Sequence, residues 1–401
     1  MNEFENINKC RVCNNKVNEI IDFNDQPLAN NFHKNETPIN SYPLKLMLCE
    51  NCYHTQLSIV VKPKILFENY IYVSGTSQTL INYFHWFVNT VENITNIQSG
   101  SVLDIACNDC SLLNVFYDNG WDTHGVDPAK NIYKYTKHSN HNVICDYWNN
   151  ITANKLNKTY NIIVAQNVFA HVNDIDGFLN SCKICMDNNS YLFIQTSQCY
   201  MFRNNEFDTV YHEHLSFFSI KSMKYILDKH NLYISNILFP DIHGTSYLFV
   251  ISKNINVENK EIISKYYNEE SNLGQYSKTF YIGYMKHCYN VLETTKNFKN
   301  YYKDKHIIGF GAAAKSNTFL NFCKLDLEYI IDENPSKQGL YSPGMNIPIY
   351  SMKKLIEDKN DLCIIILAWN FKDEIIKKIK ANRINKNDKY VVFNPKFQIL
   401  S

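Results

Sequence analysis

Apolar side chains recur along this chain in two distinct rhythms. Over Thr76–Ile97, the residues Leu80, Ile81, Phe84, Phe87, Val88 and Val91 fall at three- and four-residue steps, which predicts an amphipathic helix. Beyond it the pattern becomes short, near-continuous apolar runs. Ser101–Ala106, Thr123–Val126, Asn142–Cys145, Tyr160–Ala165 and Tyr191–Gln195 are expected strands, with a helix over Leu112–Tyr117. Runs of this kind suit parallel strands covered on both faces. Leu232–Phe239 and Tyr247–Ser252 read as a closing antiparallel pair. The pattern is helical from about Val257 to Tyr302. A second α/β series follows in Ile307–Gly309, Leu327–Ile331, Leu362–Leu367 and Tyr390–Phe393. The expected fold class is α/β, doubly wound, in more than one unit.

The 401 residues exceed one typical core and fit two or three domains. Lys+Arg 40 against Asp+Glu 39 leaves a formal net charge of +1, which argues against a nucleic-acid partner. No apolar stretch approaches the ~20 residues of a membrane span, and no N-terminal run resembles a signal peptide. A cytoplasmic chain without a membrane partner is expected. In that setting the 13 cysteines are more readily thiols and metal ligands than disulfides.

Two cysteine pairs carry a definite chemistry. Cys10-x-x-Cys13 and Cys49-x-x-Cys52 supply the four thiolates that zinc accepts. Such a closed set leaves no open position for catalysis, so the zinc is expected to be structural. Cys107/Cys110 and Cys182/Cys185 share the spacing but fall in a strand-turn and a helix, where packing explains them.

The turn Asp104-Ile-Ala-Cys-Asn108-Asp109-Cys110 joins the first strand to the first helix, and Asp127 ends the second strand 23 positions after Asp104. Ligands of open α/β sheets bind at the carboxyl ends of strands. An acid at Asp127 suits ribose hydroxyls, and Asp146-Tyr147 suits an adenine ring. The turn has none of the glycines that admit a pyrophosphate, so a nucleoside cofactor such as S-adenosylmethionine (SAM) fits. Asn167 and His171 follow the fourth strand, beside the mouth of this cofactor site. Tyr211-His212-Glu213-His214 gathers four titratable groups ahead of an apolar run, a natural place for a proton acceptor. A competing signal lies in Gly309-Phe-Gly311-Ala-Ala-Ala314, with Asp332 after it. That spacing resembles a dinucleotide fingerprint and favours an NAD-dependent enzyme, whereas Lys315-Ser316 at the helix start suits a nucleotide diphosphate.

In this order the pieces resemble the C-methyltransferases that act on nucleotide-linked 4-keto deoxysugars. The resemblance runs over nearly the whole length. It takes in the knuckles with Gln26-Pro27-Leu28-Ala29-Asn30 between them, the Asp104–Asp109 turn and Asn167-Val-Phe-Ala-His171. It continues through Asn205-Glu206-Phe207-Asp208 into Tyr211-x-Glu213-His214, then His243-Gly244, Gly309-Phe-Gly-Ala-Ala-Ala-Lys315 and Asp332-x-Asn334-Pro335-x-Lys337-Gln338.

The resemblance implies a zinc-binding domain over 1–70, a class I SAM methyltransferase domain over 71–255, and a helical segment with a C-terminal Rossmann-like domain over 256–401. It implies methylation at C3 of a sugar carried on dTDP, by a monomeric enzyme. His214 is the implied base, assisted by Tyr211 and Glu213. The resemblance places His171 and a tyrosine of Tyr70-Ile-Tyr72, Tyr72 being favoured over Tyr70, near the sugar, with Lys315 and His243 as substrate-binding residues. Asp104, Asn108, Asp109, Asp127, Asp146, Tyr147 and Asn167 serve SAM. Two positions depart from the family pattern: Cys110 stands where Gly is usual, with a side chain expected to crowd the cofactor, and Asp127 replaces Glu. Sugar O-methylation is the alternative chemistry.

Overall fold

The computed structural model describes the chain except residues 1–2, 35–38, 69, 71–72, 198–199, 243–244, 303–304, 386 and 401. Tyr72 and His243 therefore lie outside the described residues. The rest gathers into two compact units that interleave along the sequence. The first holds 1–18, 48–199 and 215–276; the second holds 19–47, 200–214 and 277–401. Among the described residues no helix is long and apolar enough to cross a membrane.

The amphipathic segment is helix α1, Gln78–Thr95. Ser77 caps it by accepting the Leu80 N–H, and Asn96 ends it in the left-handed conformation, φ 56°. Its buried face sets Phe87 edge-on against Phe116 and Phe193, with ring centroids 6.4 and 5.7 Å apart. A seven-stranded sheet lies behind it. Its strands are β1 (Ser101–Ile105), β2 (Asp122–Val126), β3 (Asn142–Ile144), β4 (Ile162–Gln166), β5 (Tyr191–Thr196), β6 (Tyr233–Leu238) and β7 (Tyr247–Ser252). Their spatial order is β6-β7-β5-β4-β1-β2-β3. All neighbours are parallel except β7, which runs antiparallel to β5 and β6. The strand order reverses between β1 and β4, which opens a crevice at their carboxyl ends.

In the second unit the sheet order is β10-β9-β8-β11-β12-β13, built from β8 (His306–Phe310), β9 (Ile330–Ile331), β10 (Ile349–Tyr350), β11 (Leu362–Ile366), β12 (Lys389–Val392) and β13 (Gln398–Leu400). Only β13 is antiparallel. The strand expected over Leu327–Ile331 is confined to its last two residues. Long-range contacts bring 19–47 and 200–214 into this unit. Phe23, Phe207 and Phe322 form a ring cluster with centroids 5.0–5.8 Å apart. From helix α2 (Ala314–Cys323), Asn317 donates to the Ala29 carbonyl at 2.6 Å and Thr318 to the Val210 carbonyl at 3.1 Å. These two polar side chains are buried, so their bonds hold backbone that would otherwise lose its partners.

Candidate active site

The four knuckle cysteines lie in the first unit, with Sγ atoms all within 4.8 Å of one another. Cys10 and Cys52 sulfurs are 3.5 Å apart, and Cys13 and Cys49 sulfurs 3.3 Å. A tetrahedron of thiolates ~2.3 Å from zinc has edges of about 3.8 Å, so the donor set fits the ion. The two knuckles are built alike. Asn14 N–H bonds the Cys10 carbonyl and Tyr53 N–H bonds the Cys49 carbonyl. Both closing residues are left-handed, with φ 61° and 55°. Hydrogen bonding among the sulfurs pushes Cys10 up to about 12 and Cys52 higher still, while Cys49 is held low. Several thiolates this close need a cation to stabilise them, and zinc supplies it.

The cofactor turn follows β1. It takes a left-handed backbone at Ala106, Asn108 and Cys110, with φ 62°, 49° and 66°. Asn tolerates this region; Ala and Cys are strained there by roughly 1–2 kcal/mol each. The loop therefore has a glycine-rich shape without glycines. Cys110 is 1% exposed and packs into the core with Leu113 and Phe116. Its left-handed backbone adds strain at the position where the family pattern has Gly.

Asp104, Asp109 and Asp127 make the turn acidic. Burial, then Asp127 and Asp109, hold Asp104 well above the usual carboxylate range; burial raises Asp127. A cationic ligand relieves this repulsion, and SAM is a cation. Asp127 Oδ2 accepts the Asn108 N–H at 2.9 Å and Oδ1 the Ala129 N–H at 2.8 Å. It thus shapes the turn and retains lone pairs for a ribose. Asn108 and Asp109 carry a second load, accepting the N–H groups of Ser74 and Gly75 at 3.0 and 2.8 Å. Asp146 is bridged by Lys155 at 3.1 Å, which lowers it, beside the half-exposed ring of Tyr147. Asp127→Ala is expected to weaken SAM binding by about 10- to 100-fold, the loss of a charge-assisted bond, with the circular-dichroism spectrum retained. Calorimetry showing unchanged affinity would remove Asp127 from the cofactor site.

At the carboxyl ends of β4 and β5, three buried polar atoms have no hydrogen-bond partner among the described residues: Gln166 Nε2, Asn167 Oδ1 and Thr196 Oγ1. Asn167 itself is left-handed, φ 54°. Neither Gln166 nor Thr196 stood out in the sequence, because a polar residue ending an apolar strand is unremarkable until its neighbours are known. His171 follows on a short 3-10 turn and stacks on Phe67, centroids 5.8 Å apart. Dehydration there pushes it down to about 4.

The Tyr211–His214 tetrad lies in the second unit. His214 is 5% exposed. Its Nδ1 meets the Thr209 carbonyl at 2.8 Å and its Nε2 meets the Tyr211 hydroxyl at 2.9 Å. A carbonyl only accepts, so Nδ1 carries the proton and Nε2 presents the lone pair. The carbonyl of Thr209 is a backbone partner that no side-chain motif announces. Glu213 accepts from Asn30 Nδ2 at 2.6 Å, a contact spanning 183 positions. His212 bonds the Tyr42 carbonyl, and burial pushes it down to about 4.

Lys315 opens helix α2 with its Nζ 5.4 Å from the Trp369 ring centroid and without a hydrogen-bond partner among the described residues. Burial raises the carboxyls of Asp208 and Glu206, and Lys315 offsets part of that rise. Trp369 in turn donates to Asp208 at 2.6 Å. Trp369 was not legible as a site residue. The glycine fingerprint before α2 is closed on itself. The Ala312 N–H bonds Asp332 at 2.7 Å and the Ala312 carbonyl accepts from Lys337 at 2.8 Å. A Cβ on Gly311 would meet Ala368 Cβ at 2.7 Å, so packing accounts for that glycine, and the Ser316 hydroxyl is spent on the Gly311 carbonyl.

Three family models match the chain: "Putative zinc binding domain" over residues 10–67, "Methyltransferase domain" over 85–236 and "C-methyltransferase C-terminal domain" over 241–395. A full-length relative, the C-methyltransferase NovU of Streptomyces niveus, is 25% identical over 410 residues, covering 98% of this chain and 97% of that protein. Solved structures that align include the PH0226 protein of Pyrococcus horikoshii OT3, with 12% identity over 47% of this chain and 95% of that one, TM-score 0.35. Magnesium protoporphyrin IX methyltransferase (ChlM) of Synechocystis PCC 6803 aligns at 11% identity over 44% and 79%, TM-score 0.32. Fold and matched domains define a SAM-dependent methyltransferase. Within that class the chain is similar to C-methyltransferases, its matches running in the order zinc-binding domain, methyltransferase domain and C-methyltransferase C-terminal domain.

Proposed function

We propose that the enzyme methylates C3 of a 4-keto deoxysugar carried on a nucleotide, dTDP being the favoured carrier, with His214 as the base. The observation that carries this reading is the pair of bonds on the His214 ring. Nδ1 is tied to a carbonyl and Nε2 is left as an acceptor beside a phenol. Carbon becomes nucleophilic only when a proton leaves from beside a carbonyl. His214 Nε2 takes the C3 proton, and the electron pair moves into the C3–C4 bond and onto the carbonyl oxygen. The Tyr211 hydroxyl, released from Nε2, donates to that enolate oxygen. SAM, when bound, supplies an electrophilic methyl on a sulfonium. The enolate carbon takes this methyl as the carbon–sulfur bond breaks, leaving S-adenosylhomocysteine. His214 then gives up its proton to solvent.

Glu213, fixed by Asn30, keeps the tetrad in place. His171 is a feeble base once pushed down to about 4, and is assigned to substrate contact together with Tyr72 and His243. Lys315 is assigned to the nucleotide's phosphates. The test is mass spectrometry of the products from a panel of 4-keto nucleotide sugars and their 4-hydroxy counterparts. Only the keto forms should gain a methyl; methylation of the hydroxy forms alone would replace this reading by O-methylation.

A further inference from the structure

We infer that Arg11, inside the first cysteine knuckle, is a positioning residue for the reaction: its guanidinium fixes the backbone leading out of His214 and the turn that carries His171. The inference rests on His214 being the base, as proposed above.

Four of the five guanidinium N–H groups are engaged. Nε donates to Asn173 Oδ1 at 3.0 Å, Nη1 to the Leu57 and Leu215 carbonyls at 2.8 and 3.3 Å, and Nη2 to the Ile59 carbonyl at 3.3 Å. All four acceptors are neutral, so the contact is a geometric clamp rather than an ion pair. Only the planar fork of Arg spans acceptors this far apart; a Lys offers its three donors from one atom. The knuckle is tied to the same place by the buried Gln56, which accepts the Arg11 N–H at 2.8 Å and donates to the Lys9 carbonyl at 3.0 Å.

Leu215 follows His214 directly and is held at both ends. Its N–H bonds the Ala170 carbonyl at 2.8 Å, and its carbonyl takes the Leu57 N–H at 3.0 Å as well as Arg11. Ser216 and Phe217 then pair antiparallel with Gln56 and Thr55. Ala170 precedes His171, and Asn173 lies two residues beyond it. One guanidinium thus grips the His171 turn directly through Asn173 and indirectly through Leu215. Arg11 touches no reacting atom; it acts through the backbone, where a misplacement of about 1 Å can cost ~100-fold in rate.

The experiment follows C3-proton exchange in deuterated water, using zinc-loaded protein and a dTDP-linked 4-keto deoxysugar that the wild type methylates. Arg11→Lys keeps the charge and loses the fork. Its exchange kcat should fall by about 10- to 100-fold, with KM changed by less than about twofold and with zinc content and S-adenosylhomocysteine affinity retained. Asn173→Ala removes one contact at an exposed position and should lower the same kcat by about 3- to 10-fold. If Arg11→Lys does not fold, Asn173→Ala decides alone.

Wild-type exchange in Asn173→Ala, together with a loss in Arg11→Lys that tracks zinc content, would overturn the positioning role and leave Arg11 to the knuckle's fold. Wild-type exchange in both variants would overturn it as well, with His214 still standing as the base. Exchange that persists in His214→Ala would overturn the base and this inference together.

Discussion

His214→Ala is expected to abolish methyl transfer and, with it, exchange of the substrate's C3 proton in deuterated water, while SAM and sugar nucleotide still bind. Removal of a general base costs typically 10²- to 10⁴-fold, and carbanion formation leaves no alternative path through the remaining residues of the tetrad. Tyr titrates near ~10 and an ordinary Glu near ~4.3, so neither is a matched acceptor at neutral pH. His212 and His171 are both pushed down to about 4 by burial. Exchange is the sharper readout, since it needs the base but no methyl donor. Tyr211→Phe should slow exchange and transfer together, because both pass through the enolate that the phenol stabilises, while exchange remains detectable with His214 in place. Exchange that persists in His214→Ala and disappears in His171→Ala would move the base to His171.

The second large effect concerns the metal. Purified protein should hold about one zinc per chain, and Cys49→Ser should release it. Structural zinc contributes ~10–16 kcal/mol in small domains, comparable with the whole ~5–15 kcal/mol stability of a typical protein. The variant is therefore expected to be insoluble or to melt lower by roughly 10 °C or more. Metal analysis and thermal denaturation check this. Zinc-free native protein with unchanged melting would show that the Cys10–Cys52 and Cys13–Cys49 contacts are packing only.

Much of this architecture was legible because its signals are local. In the first sheet β4, β5 and β7 are near-continuous apolar runs, and β7 is buried at every position from Tyr247 to Ser252. The knuckles repeat one spacing, and the structure gives them one geometry. The unread parts depend on distant partners. Ser41–Leu48 alternates cleanly between buried and less buried positions, yet its unit is set by residues hundreds of positions away. Asn30 reaches Glu213, and Asn317 reaches Ala29, with no periodicity to betray either. In the cofactor turn no glycine announces the left-handed backbone that Ala106, Asn108 and Cys110 adopt, so its conformation was not legible from residue types.

The most direct test of C-methylation through an enolate is carbon NMR of the product made with SAM labelled with carbon-13 in its methyl group. A 4-keto nucleotide sugar should yield an upfield methyl signal, coupled to the sugar ring carbon C3. A methoxy signal in its place would contradict the account.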